Sequence, residues 1–102
     1  MITRKQYLKT RPICKVTFKL NKEDVDVKKT IHIVGEFNRW DTASIAMKGL
    51  KNGSYTATLD LEPDREYQFR YLIDESKWEN DKDADKYVYS EYANCNNSVI
   101  IL

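Results

Sequence analysis

Several stretches of apolar–polar alternation limit what this chain can become. From Ile13 onward, Cys14, Val16, Phe18 and Leu20 fall on one side, while Lys15, Thr17 and Lys19 fall on the other. Side chains of an extended chain point alternately to opposite faces, so this is the pattern of a strand with one face buried. Residues 30–36 repeat it around Ile31 and Ile33. Tyr55, Ala57, Leu59 and Leu61 alternate with Thr56, Thr58 and Asp60, and Tyr67, Phe69, Tyr71 and Ile73 alternate with Gln68, Arg70 and Leu72. Arg70 therefore lies opposite an aromatic stripe. Residues 98–102 close the chain as an apolar strand, and no helix of substance is visible.

Turn chemistry separates these strands. Asn52-Gly53 is a hairpin signal, because both residues tolerate positive φ, and Pro63-Asp64 marks the next turn. Residues 74–77 turn the chain back to Trp78. Residues 1–12 are polar and basic and end at Pro12, which reads as a tail or partly helical lead-in to a domain spanning 13–102. Residues 21–29 are a charged connection in which Val25 and Val27 suggest a fragment of edge strand. In residues 44–50, Ile45, Met47 and Leu50 are the candidates to face inward. Residues 79–97 are polar and rich in Asn and Asp, and read as a long surface loop held by Tyr87, Tyr89 or Tyr92. About seven short strands joined by turns make an all-β fold, an antiparallel sandwich.

Composition narrows the partner. With 102 residues the chain makes one domain, and 17 basic against 16 acidic residues leave a net charge of +1. That balance supplies no field to select nucleic acid or an anionic membrane. No apolar stretch approaches the roughly 20 residues of a membrane helix, and the basic start is followed by no apolar run of a signal peptide. The expected setting is cytoplasmic, with Cys14 and Cys95 as free thiols.

Little here points to catalysis. His32 is the sole histidine and sits inside a strand. No nucleophile elbow, phosphate-cradling loop or spaced Cys–His pair occurs. Residues 81–85 imitate the start of a calcium loop, but Lys86 stands where the sharp turn needs Gly, and Tyr92 where the bidentate Glu belongs. Asp side chains capping loop backbone explain that run better. We expect neither metal nor cofactor.

The stretch after the second strand has its own character. In Val34-Gly35-Glu36-Phe37-Asn38-Arg39-Trp40-Asp41, Gly35 stands where a side chain would be awkward and Asn38 supplies a turn. Phe37 is the residue to plug the core; Trp40, past the turn, is either a lid or an exposed binding platform. This run resembles the Gly-x-Phe-Asn-x-Trp signature of family-48 carbohydrate-binding modules, also called isoamylase early-set domains. Among them is the glycogen-binding domain of the AMP-activated protein kinase beta subunit. The likeness continues through residues 67–74, Trp78-Glu79-Asn80-Asp81, Ala84-Asp85 and Asn97-Ser98-Val99, so it spans roughly residues 13–102.

The resemblance implies an immunoglobulin-like, early-set sandwich that binds α-glucan chains such as glycogen without catalysis. It implies that Trp40 and Trp78 stack on sugars, that Arg70 replaces a family Lys reaching a sugar hydroxyl, and that Asn97 hydrogen-bonds the ligand. It also places Cys14 and Cys95 near one another. The physics suits such a ligand: aromatic rings cover the C–H face of a pyranose, and planar polar groups take its hydroxyl rim. Each sugar hydrogen bond mostly replaces one to water and nets only about 1 kcal/mol, so stacking must carry much of the affinity. The loop before Asn97 departs from the family, with Ala93 and Cys95 where homologues present Leu and Thr. The candidate partners are an α-glucan and a glycogen-metabolising enzyme. Two rival readings stand beside this one: a sandwich that has lost sugar affinity and docks proteins, and a glycosidase using a carboxylate pair from residues 74–85.

Overall fold

The computed structural model describes residues 1–24 and 30–102. Among these run nine strands: β1 (Ile2–Tyr7), β2 (Cys14–Leu20), β3 (Ile31–Gly35), β4 (Lys48–Gly49), β5 (Tyr55–Leu61), β6 (Glu66–Ile73), β7 (Lys77–Glu79), β8 (Lys86–Ser90) and β9 (Cys95–Ile101). A single 3-10 turn, Glu36–Asn38, follows β3. The strands form two sheets, in the orders β1-β2-β5-β4 and β3-β6-β9-β8, with β7 added to β6. Every strand pairing is antiparallel. The result is an immunoglobulin-like antiparallel sandwich.

The alternating stripes meet between the sheets. Cys14, Val16, Phe18 and Leu20 of β2 pack with Ile31 and Ile33 of β3, Tyr67, Phe69, Tyr71 and Ile73 of β6, and Ile100 of β9. Phe18 and Phe69 bridge the two layers edge to face at 5.3 Å, and Phe69 meets Tyr71 the same way at 5.8 Å. That geometry sets a ring's positive edge against a negative face. Phe37 joins the cluster at 6.2 Å from both Phe69 and Tyr67, so it packs on the core from the end of the motif strand.

Gly35 is dictated by space. Its backbone is extended, so no positive φ is involved, but a Cβ there would lie 2.5 Å from the Gln68 carbonyl oxygen and 2.6 Å from Phe69 Cβ.

The second sheet also has an apolar outer side. Val34, Leu72 and Val99 are buried, yet stand apart from the core cluster. Alternation from Ile33, Tyr71 and Ile100 turns them to the far side of the β3-β6-β9 layer. They form a floor there.

A buried polar knot closes one side of the sandwich. Tyr71 donates its hydroxyl to Asp81 Oδ2 at 2.7 Å, and the Asp83 amide donates to Asp81 Oδ1 at 2.8 Å. The Asp81 amide donates to Ser98 Oγ, whose hydroxyl donates to Asn80 Oδ1, both at 2.8 Å. The Tyr87 hydroxyl donates to the Asp81 carbonyl. Asp81 is thus a structural carboxylate. At the strand edges, Asp85 Oδ2 accepts from Lys5 Nζ and from the Ile101 amide, both at 2.7 Å, which clasps β1 to β9 across the two sheets. Burial works against the charged Asp85 carboxylate, but these bonds outweigh it and hold its pKa below the ordinary value.

Several expectations are corrected. The tail expected over residues 1–12 is, from Ile2 to Tyr7, an edge strand paired with β2, so the sandwich reaches beyond a boundary at residue 13. An edge strand with most side chains exposed has no apolar alternation to announce it. The expected loop 79–97 contains β8, paired with β9. Met47 is buried and Ile45 packs on the core, but Leu50 is exposed at the hairpin end. Val25 and Val27 lie outside the described residues. Cys14 faces the core, whereas Cys95 bonds to Arg70 on the outer side of the second sheet, so the two thiols lie on opposite sides of that sheet.

Two outcomes follow from this packing. Burial pushes the Asp81 carboxyl above the ordinary Asp range, with the Tyr71 hydroxyl bond opposing the shift. The folded chain therefore takes up this proton before the unfolded chain does. Asp81's contribution to stability grows as pH falls through its raised folded pKa, and levels off below the ordinary value. Tyr71→Phe is expected to cost about 1–3 kcal/mol at neutral pH. That deficit should shrink in urea melts as pH falls and Asp81 protonates; a deficit independent of pH would contradict the account. Gly35→Ala should cost about 1–3 kcal/mol through overpacking against β6 backbone, read as a lowered urea midpoint.

Candidate functional site

The site begins with one carboxamide. Asn38 Oδ1 accepts the Gly35 amide at 3.0 Å, while Nδ2 donates to the Ile33 carbonyl at 3.2 Å, the Asp41 carbonyl at 3.2 Å and Ser44 Oγ at 3.0 Å. These bonds close the chain into a tight loop. Within it Arg39 and Trp40 both take left-handed backbone, with φ of 56° and 58°. That region is unfavourable for a bulky side chain and costs on the order of 1–3 kcal/mol, sustained here by the surrounding bonds. The Trp40 amide donates to the Gly35 carbonyl at 2.8 Å, which completes the turn. The indole is thereby held in one place, half-buried.

Trp40 then faces a cleft of about 520 Å³ on the outer side of the second sheet. Arg70 and Asn97 line the same cleft, from the central strands β6 and β9, and Trp78 lines it from β7. The volume lies within the roughly 300–1,000 Å³ range of small-ligand sites. All four residues singled out in the sequence are brought together.

Trp78 pairs with Leu72 across β6 and β7 and is 39% exposed. The Arg70 guanidinium lies over its ring, 4.7 Å from the centroid, and Arg70 Nη1 also donates to Cys95 Sγ at 3.2 Å. Asn97 is buried, and its Nδ2 donates to Gln68 Oε1 at 3.0 Å. Two polar atoms at this floor, Arg70 Nε and Asn97 Oδ1, are buried without a partner among the described residues. A buried donor and a buried acceptor left unpaired in one site are uncommon in folded proteins.

Some lining residues had escaped notice. Gln68 stands two residues before Arg70 on the same outer face, a relation visible in the alternation itself. It holds Asn97 in place. Glu36 accepts the Gln68 amide through Oε1 at 2.7 Å and so ties the motif turn to β6. Tyr92 is fully exposed at the rim, on the turn between β8 and β9, beside Ala93. Only tertiary structure brings that turn to the cleft.

Chemically the cleft offers aromatic surface on two sides and a planar polar floor between them. Its described lining holds no nucleophile–base pair: Ser90 and Thr42 are there without a histidine. Such a lining suits a ligand with apolar faces and a hydroxyl rim.

The thiol beside the site supplies a check. Burial pushes the Cys14 thiol up, and its side chain is closed off in the core, while Cys95 is partly exposed. An alkylating reagent should label one thiol quickly in the native protein and both in denaturant. No label in denaturant without reductant would reveal a disulfide.

No curated protein was found to match the chain. A model of the family described as the glycogen recognition site of AMP-activated protein kinase matches residues 17–102, from within β2 to the last strand. Since that match takes in each element that builds the cleft, the chain belongs to this family of glycogen recognition domains, of the carbohydrate-binding module 48 type.

Proposed function

We propose that this domain binds α-glucan chains without cleaving them, through Trp40, Trp78, Arg70 and Asn97. The observation that carries the reading is that both indoles border one open cleft whose floor carries a guanidinium and a carboxamide. Trp40 covers the C–H face of one glucose, while Trp78 borders the path of the chain. Arg70 and Asn97 supply the polar contacts to sugar hydroxyls; Arg70 Nε and Asn97 Oδ1 are buried without a partner among the described residues.

The aromatic positions are preorganised, which lowers the ordering cost of binding. Asn38 and its four bonds hold the Trp40 turn, and Arg70 holds Trp78 by a cation–π contact. Ala93 and Cys95 add little apolar surface above the cleft, so the affinity is weak for a single chain. Repeated chain ends on a polysaccharide particle offset this by raising the local ligand concentration. The domain would then serve to hold a glycogen-metabolising enzyme on its substrate. Unpaired Cys14 and Cys95 favour the cytoplasm as the compartment.

The test pairs retention with stability. Trp40→Ala and Trp78→Ala should each lose at least about tenfold in retention on glycogen and amylose gels. Their melts should stay close to the parent's, because neither ring belongs to the core cluster. A β-glucan gel serves as control. Unchanged retention with both variants folded would leave protein docking as the better account. Loss of fold in both would mean that the rings are structural.

A further inference from the structure

The net charge of +1 averages two unlike parts of the chain. Residues 1–20 carry Arg4, Lys5, Lys9, Arg11, Lys15 and Lys19 and no acidic side chain. From residue 62 onward, acidic residues are twice as many as basic ones. The fold turns this bias into a spatial one, because β1 and β2 belong to the first sheet while β6 to β9 belong to the second. Asp60 is the only acidic residue within β1, β2, β4 and β5.

The cations of these strands gather on the sheet's outer face. Cys14, Val16, Phe18 and Leu20 turn inward to the core, so Lys15, Thr17 and Lys19 turn outward. Strand register carries that face across the sheet. Arg4 stands opposite Thr17, which stands opposite Thr58, and Lys19 and Lys48 flank Thr56 from either side. Lys15 pairs with Asp60 at 3.3 Å, whereas Arg4, Lys19 and Lys48 have no ion-pair partner among the described residues. The threonines between them are engaged within the sheet. The Thr17 and Thr58 hydroxyls bond each other at 3.2 Å, and Thr56 donates to the Phe18 carbonyl at 3.2 Å. What the face offers outward is positive charge on a firmly bonded frame. The glucan cleft, on the outer side of the other sheet, takes no lining from these residues.

Charge complementarity calls for an anionic partner, and the make-up of the face selects among anions. A DNA major groove admits one helix or a two-stranded ribbon, not the breadth of a four-stranded sheet. Single-stranded nucleic acid needs aromatic side chains on which bases stack, and the outward residues of β2 and β5 are Lys, Thr and Asp alone. Those residues also supply no apolar side chain to enter a membrane interface. Carboxylates on a protein need neither, and Arg and Lys both receive them well. We propose that the outer face of the first sheet docks an acidic segment of a partner protein. Arg4, Lys19 and Lys48 contact its carboxylates, and the cleft on the opposite side stays free for its own ligand. This docking does not depend on the glucan reading.

Fluorescence anisotropy of a labelled oligoglutamate peptide tests it. The unaltered domain should bind the peptide, and less tightly as salt rises, because exposed charges are screened beyond roughly 8 Å at physiological ionic strength. Lys19→Glu combined with Lys48→Glu should weaken binding at least about tenfold. Lys77→Glu makes the same charge change on β7 of the other sheet and should stay within about twofold of the parent. If the double variant melts early, Arg4→Glu on the exposed edge strand decides in its place, with about a threefold loss. Glycogen retention of the deciding variant should match the parent's. No binding of the peptide, an equal loss in Lys77→Glu, or lost glycogen retention with the fold intact overturns the proposal. Tighter binding of a DNA duplex or of phosphatidylserine vesicles at the same salt overturns it in favour of those partners. A salt-sensitive dimer that the deciding variant abolishes overturns it too, and assigns the face to a second copy of the chain.

Discussion

The closeness of Gly35 to Phe69 is the contact on which the rest depends. With no Cβ on Gly35, β3 approaches β6 until the missing atom's place is only 2.5 Å from a backbone oxygen. On the inner side this lets Phe69 meet Phe18 across the sandwich, and it seats Phe37 against both. On the outer side it sets the point from which the chain leaves the sheet. The Gly35 amide and carbonyl anchor the turn through Asn38 and Trp40. One absent side chain thus couples the packing of the core to the position of the indole.

The site's rigidity comes from spending polar groups on internal bonds and leaving a few unspent. Asn38, Glu36 and Gln68 are all engaged within the domain. Arg70 Nε, Asn97 Oδ1 and His32 Nδ1 have no partner among the described residues. The outer face of the second sheet, ordinarily the solvated side of a sandwich, also carries apolar residues: Val34, Leu72 and Val99 are buried there.

The far end of the molecule is held by different means. Tyr71, on the core stripe of β6, ends on the buried carboxylate of Asp81. Around Asp81, the amides of residues 81 and 83 and the hydroxyls of Tyr87 and Ser98 are satisfied without bulk water. This knot fixes the crossing from β7 to β8, and with it the strand that ends at the Tyr92 turn. A carboxylate run that imitates a calcium loop in sequence thus serves, at Asp81, to hold backbone.

The amino-acid sequence by itself determined the strands whose inner faces are buried. Period-two alternation is a local consequence of one-sided burial, and β2, β5 and β6 carry it plainly. It determined the turn at Asn38 as well, because a short carboxamide can replace backbone partners within a few residues. It was silent on β1, an edge strand with little to bury. It obscured β8, whose Tyr87, Val88 and Tyr89 carry strand propensity but lie among turn-forming residues. The four candidate residues could be named one at a time from their types and the family likeness, since each belongs to a local motif. That they border one cleft was decided only by tertiary structure, which brings residues 40, 70, 78 and 97 together through strand register.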